Sequence, residues 1–314
     1  METDVLGTPY ESLTLPLPDD DEGEVVATLV RRRAEKSSGR AVLYVHGWMD
    51  YFFQTNLADH YVERGFDFYA LDLRKYGRSI RPHQTPYYCA TVAEYFPEID
   101  EAIRIIRNED GHDKVLVNAH STGGLTTSLW AHQHRGEGLV QGLYLNSPFF
   151  DLNVPWIART ALADTVGILG QRRPRTPLPL ELPSLYGRSL HRDHDGEWDF
   201  SLDWKPVGRV PLLAGWLRAM RTAHREVQAG LSIDVPVLVQ CSTESFHGRT
   251  WDEKIMRADA VLDVEHIARW SPRLGRHVTL VRIEGAVHDI VLSAEPVRKV
   301  AFAELDRWMS TYLP

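Results

Sequence analysis

Lys114 to Gly124, K-V-L-V-N-A-H-S-T-G-G, is the stretch on which the reading of the fold turns. Val115, Leu116 and Val117, followed by Asn118, make a short apolar, β-branched run of the kind that becomes a buried parallel strand. Ala119-His120-Ser121-Thr122-Gly123-Gly124 is small and polar, and Leu125 to His134 then has helix-compatible composition without proline. Strand, tight turn and helix is the setting in which a G-x-S-x-G-like segment carries chemistry. The turn lifts the serine above the strand ends, and small neighbours let the helix approach the strand. Ala119 stands where the first glycine of that pattern is expected. By itself the serine is equally compatible with a helix N-cap, so the rest of the chain decides.

Upstream, Tyr10 to Leu17 and Glu24 to Arg33 flank the acidic turn P-D-D-D-E-G, a pattern that predicts an antiparallel hairpin at a sheet edge. Arg31-Arg32-Arg33 reads as a solvated edge rather than a polyanion site. Arg40 to His46 is nearly continuous in apolar residues, as strands buried on both faces are, and it runs into His46-Gly47-Trp48-Met49-Asp50. Gln54 to Glu63 predicts a helix stopped by Gly65. Phe66 to Leu73 is the next strand and leads into D-L-R-K-Y-G-R-S, Asp72 to Ser79. Ala93 to Asn108 carries a helical stripe at Ile99, Ala102, Ile103 and Ile106.

Downstream, Leu139 to Leu145 predicts a strand. The strand–helix alternation up to this point is that of a doubly wound parallel sheet, whose sites lie at the carboxyl ends of strands. From Phe149 to about Gly230 the alternation stops. Proline and arginine are dense there, tryptophans recur at Trp156, Trp198, Trp204 and Trp216, and nothing repeats the β-α rhythm. We read residues 149–230 as a cap inserted into a core made of 1–148 and 231–314. Its tryptophans suit either an apolar pocket or plain packing. His191-Arg192-Asp193-His194-Asp195 reads as a solvated loop rather than a metal site, because no flanking ligand accompanies it. The core resumes with strands at Val235 to Cys241 and His277 to Ile283, and a last helix spans about Pro296 to Tyr312.

The 314 residues suffice for one large domain with an insertion. A net charge of −8 argues against a nucleic-acid-binding surface. The two cysteines, Cys89 and Cys241, lack metal spacing, and a disulfide framework is not expected. The first residues lack the basic and apolar regions of a signal peptide, and no apolar run is long enough for a membrane span. These features predict a soluble, cytoplasmic protein.

With H-G-W-M-D, D-L-R-K-Y-G-R-S, H-S-T-G-G, A-D-A-V-L-D-V and G-A-V-H-D in this order, each at a predicted strand end, the chain resembles the α/β-hydrolase superfamily. It is most similar to the monoacylglycerol lipase and lysophospholipase-like serine hydrolases of the serine aminopeptidase S33 type. The resemblance implies a mostly parallel, eight-stranded sheet flanked by helices. It also implies a Ser–acid–His chain order. Ser121 would be the nucleophile and His288, in G-A-V-H-D, the general base. The acid has several candidates after Cys241: Glu244, Asp252, Glu253, Asp259 and Asp263, with A-D-A-V-L-D-V pointing to Asp259. Backbone N–H groups of Trp48 and Thr122 would form the oxyanion hole. His46, Asp72, Arg74 and Arg78 read as residues that hold loops.

The implied activity is hydrolysis of a small-molecule ester with an apolar acyl group, without metal or organic cofactor. An aminopeptidase of the same fold would need a cap acid for the substrate amine, with Glu181, Asp193, Asp195 and Glu197 available. A catalytically silent binding protein would predict a broken triad.

Overall fold

A computed structural model describes residues 1–153, 169–179, 185–208 and 210–313. In chain order the strands and helices are β1 (Glu2–Thr3), β2 (Glu11–Asp20), β3 (Gly23–Arg32), β4 (Arg40–Val45), α1 (Thr55–Val62), β5 (Phe66–Asp72) and α2 (Phe96–Arg104). They continue as β6 (Lys114–His120), α3 (Thr122–Gln133), β7 (Gly142–Asn146), α4 (Leu185–Leu190), α5 (Ala214–Ala229), β8 (Val237–Ser242), α6 (Val264–Trp270), β9 (Val278–Ile283) and α7 (Glu295–Tyr312). All nine strands join one sheet in the order β1-β2-β3-β5-β4-β6-β7-β8-β9. From β5 to β9 the pairings are parallel, while β1, β2 and β3 pair antiparallel.

The sequence predicts eight strands and the sheet has nine. The extra one is the two-residue β1, which pairs with Glu11 and Ser12 and is too short for a periodicity to register. Two further expectations change. The arginine triplet begins inside β3, which is not an edge strand but lies between β2 and β5. Its charges are spent within the fold: Arg31 bonds Glu11 and Asp110, Arg32 bonds Tyr10 and Asp59, and Arg33 pairs with Asp67 and Asp110. The helix predicted at Ala93 to Asn108 is divided. A capping box between Thr91 and Glu94 opens a 3-10 turn, α2 follows, and the end widens into a π turn over Ile105–Glu109.

Why the central strands are apolar throughout follows from the sheet's place between two layers. In β4, Ala41, Leu43 and Val45 join one core cluster, whereas Val42 and Tyr44 join the other. β6 divides the same way, with Val115 and Val117 on one face and Leu116 on the other. On the first face Ile99 and Ile103 of α2, Leu125 and Trp130 of α3, and Leu217 and Met220 of α5 cover the sheet. Leu57 and Tyr61 of α1 and Leu305 and Trp308 of α7 cover the second. Each fully buried Val or Leu contributes roughly 1.5–3 kcal/mol relative to exposure. Substitution by a charged residue in β4 or β6 therefore has no solvent face to escape to.

The parallel strands all end at one side of the sheet, and the segments that follow them carry H-G-W-M-D, Y-G-R-S, S-T-G-G, A-D-A-V-L-D-V and G-A-V-H-D. Between β7 and β8 runs the long stretch read above as a cap, of which Trp156 and Glu181 fall outside the described residues.

Candidate active site

Ser121 sits between β6 and α3 with φ 53° and ψ −116°, a backbone conformation disfavoured for any residue with a Cβ. The turn is held open by its neighbours: Ser121 N–H donates to Asn146 O at 3.0 Å, and Ser121 O accepts from Phe149 N at 3.0 Å. The absence of side chains at positions 123 and 124 permits the close approach. A Cβ on Gly123 would lie 2.4 Å from His46 O, and one on Gly124 would lie 2.8 Å from the Pro148 Cβ. Inside the buried α3, Thr126, Thr127 and Ser128 return their hydroxyls to the carbonyls of Thr122, Gly123 and Gly124, which satisfies them without water.

His288 follows β9 and reaches Ser121 Oγ with Nε2 at 3.0 Å. Its Nδ1 lies 2.9 Å from Asp259 Oδ2. A carboxylate only accepts, so Nδ1 carries the proton and Nε2 presents its lone pair to the serine hydroxyl. All three side chains are buried. The second carboxylate oxygen of Asp259 accepts from Val261 N at 2.8 Å and Leu262 N at 2.7 Å, which fixes its orientation.

The other acid candidates lie elsewhere. Asp263 caps α6 by accepting from Glu265 N, and Asp252 caps a 3-10 turn by accepting from Lys254 N. Glu244 meets Asp259 through its backbone only, its carbonyl accepting from Asp259 N at 2.9 Å. Phe246 N in turn donates to Asp259 O at 2.7 Å. This bridge returns the chain to the end of β8 after the polar excursion of residues 247–257.

The loop after β4 presses against the elbow: a Cβ on Gly47 would lie 3.0 Å from Ser121 Cβ. Thr122 opens α3, so its N–H belongs to the electropositive helix start. Trp48 is fixed by its indole N–H to Tyr87 O at 3.3 Å and by ring contact with Trp216 at 4.7 Å. His46 accepts Leu73 N on Nε2 at 3.0 Å, which leaves Nδ1 to donate to Gly47 O at 2.7 Å. Burial holds its pKa below the usual imidazole value. Asp72 accepts from Phe52 N, Arg78 N and the Arg78 guanidinium, while Arg74 bonds the buried Glu98.

A second buried polar cluster lies beside this arrangement. Asp50, His120 and Asp289 each bring a potential ligand atom within 4.8 Å of the others. Asp289 accepts from Gln54 Nε2 and Asn146 Nδ2. Asp50 accepts from Lys205 Nζ at 2.8 Å, so an ammonium already supplies positive charge there. His120, held below its usual pKa by burial, packs its ring 4.8 Å from that of His288. Tyr186 accepts Asp289 N at 2.8 Å and stands edge-on to His288 at 5.5 Å. Sequence reading assigned none of these five residues a role. Asp50, His120 and Asp289 stand inside the quoted motifs, which was a usable signal; Lys205 and Tyr186 give none.

The described tryptophans of residues 149–230 all meet residues outside that stretch. Trp216 meets Trp48, Trp204 stands edge-on to Tyr51 at 5.1 Å, and Trp198 donates to Leu292 O at 2.8 Å. His191, expected in a solvated loop, is instead buried. Its Nε2 reaches Phe200 O at 3.1 Å and its Nδ1 accepts from Asp193 N, so it closes the loop from within.

A family model described as serine aminopeptidase, S33, matches residues 36–295. The chain belongs to the serine aminopeptidase S33 family. Members of this family are α/β-hydrolases, in agreement with the sheet described above. This S33-family chain is similar in fold to a soluble variant of monoglyceride lipase from Saccharomyces cerevisiae, at 15% identity and TM-score 0.66 over 97% of this chain and 99% of that one. It is also similar to the monoacylglycerol lipase of Paleococcus ferrophilus, at 20% identity and TM-score 0.63 over 90% and 99%. Est1E of Butyrivibrio proteoclasticus, solved with ferulic acid, aligns at 15% identity and TM-score 0.58 over 95% and 99%. No curated protein matches the sequence. Among the described residues, no helix is long and apolar enough to cross a membrane.

Proposed function

We propose that this protein is a serine hydrolase that cleaves small-molecule carboxylic esters with lipid-like or other apolar acyl groups. The observation that carries the reading is the continuous hydrogen-bonded line from Ser121 Oγ through His288 to Asp259, with 3.0 Å and 2.9 Å links. Ser121 Oγ attacks the ester carbonyl while His288 Nε2 takes its proton, and Asp259 stabilises the imidazolium. The N–H groups of Trp48 and Thr122 receive the oxyanion. Collapse expels the alcohol, protonated by His288, and leaves an acyl-enzyme on Ser121. Water activated by the same histidine then releases the acid. Neither step draws on a metal or organic cofactor. Residues 149–230 serve as the cap, and the Trp48–Trp216 contact, extended by Phe149 stacked on Trp216, offers an apolar wall beside the oxyanion loop.

The aminopeptidase reading is less well supported. Asp195 is paired with Arg188, Glu197 with Arg298, and Asp193 is largely exposed, so these acids are not held ready for a substrate amine. A fluorophosphonate probe tests the central assignment: the native protein labels and Ser121→Ala does not. Persistent labelling of the variant refutes it. Turnover of esters of graded chain length against aminoacyl anilides then separates esterase from peptidase.

A further inference from the structure

We infer that Lys205, from the inserted segment, is a positioning residue for the oxyanion loop and acts through Asp50. The inference rests on the assignment of Trp48 N–H as an oxyanion donor. The loop from His46 to Asp50 contains Met49 at φ 55°, a left-handed conformation unfavourable for a side chain of this size. Such a conformation persists where the structure on both sides over-determines it. On the upstream side, β4 and the His46–Leu73 hydrogen bond provide that restraint. On the downstream side the next residue is Asp50, and among the described residues its side chain receives one hydrogen bond, from Lys205 Nζ.

The pairing is committed on both partners. Asp50 and Lys205 are both buried, and the ammonium lies 5.6 Å and 5.8 Å from the rings of Phe53 and Phe200. The other carboxylate oxygen of Asp50 is buried with no hydrogen-bond partner among the described residues. Of the titratable groups beside it, Asp289 is a second carboxylate satisfied by two side-chain amides, and burial holds the His120 imidazole below its usual pKa. Without Lys205, an uncompensated carboxylate would stand two residues from Trp48, close to where negative charge develops in the transition state. Relief comes from loop displacement or carboxylate protonation, and either disturbs the donor geometry. The consequence falls on the chemical step rather than on binding of the acyl chain. A contact spanning 155 residues thus ties the seating of the inserted segment to the catalytic loop.

Steady-state kinetics on a p-nitrophenyl ester, with fluorophosphonate labelling rates, test this across four forms: native, Lys205→Met, Lys205→Arg and Lys205→Met/Asp50→Asn. Lys205→Met should lower kcat by about 100-fold with KM changed by less than about twofold. Lys205→Arg, which keeps the cation, and the double variant, which removes the orphaned charge, should each recover about tenfold of that loss. A folded Lys205→Met enzyme with native kcat, or a loss confined to KM, overturns the inference. Should Lys205→Met fail to fold, native kcat in the double variant overturns it, and a kcat about tenfold below native supports it. Failure of the native protein to label refutes the serine hydrolase reading instead, which keeps the two failures distinct.

Discussion

A single methyl group added at Gly123 probes whether the elbow works as described. The Cβ of Gly123→Ala would lie 2.4 Å from His46 O and 2.5 Å from Val45 O, about 1 Å inside ordinary contact. Both obstacles are backbone atoms at the end of a central strand, paired on either side by β5 and β6, and they have little freedom to retreat. The displacement therefore falls on α3, whose first residue is Thr122. In the proposed mechanism, moving that N–H by about 1 Å would lengthen its bond to the oxyanion and shift Ser121 away from His288. A misplacement of this size costs about 100-fold in rate, and the overpacking itself costs about 1–3 kcal/mol of stability. The assay is kcat on a p-nitrophenyl ester beside a denaturant melt. Gly111→Ala serves as the control: unlike Gly123 it carries positive φ, but it has nothing within 4 Å of its added Cβ, so backbone strain is felt there without a clash. If Gly123→Ala keeps kcat within about threefold of native, the close strand–helix approach is not what positions the nucleophile, and the reasoning fails.

Three further outcomes are expected. Asp259→Asn should lower kcat by about 10⁴-fold, while Asp252→Asn and Asp263→Asn should retain native turnover; a kinetic comparison of the three decides the acid. Ser121→Gly should abolish turnover yet leave the fold at least as stable as native by chemical denaturation, because glycine relieves a strain of roughly 1–3 kcal/mol at this φ,ψ; a clear destabilisation contradicts the strain. His60, driven down to about 4 chiefly by burial and then by Arg64, is neutral in the folded state where the unfolded chain would bind a proton. Its folded pKa is depressed, so its contribution is full above the unfolded value of about 6.5 and is lost as pH falls from there towards 4. His60→Phe should therefore flatten the fall in stability over that window; an unchanged pH profile rules this residue out as its source.

The strand-and-turn skeleton was legible because its signals are local. A buried parallel strand needs a short apolar run, and a tight turn needs small residues, so β4, β6, β8 and the elbow at Ser121 announce themselves within a few positions each. β1 escaped notice because two residues hold no period. β3 was misjudged as an edge because strand order is a property of pairing, and pairing is not written in the strand itself. His191 was misread for a related reason: its polar neighbours suggested solvent, yet Phe200, Trp198 and the loop backbone enclose it.

The choice among acids shows the boundary between the two kinds of information. Asp252, Asp259 and Asp263 are similar residues in one polar stretch, and nothing in their immediate sequence measures a distance to His288. Long-range pairing does so: Glu244 and Phe246 clasp Asp259 by its backbone, bring it back to the end of β8, and leave Asp252 and Asp263 to cap helical turns. The contact between Lys205 and Asp50 belongs to the same class, since its partners share no local pattern. The sequence by itself determined the α/β-hydrolase framework and the loops on which chemistry would stand, because propensity and period act over a few residues. Which side chains of those loops meet, and which cation faces which carboxylate, was decided only when the sheet brought distant strand ends to one rim, because hydrogen bonds act over ångströms of space and not along the chain.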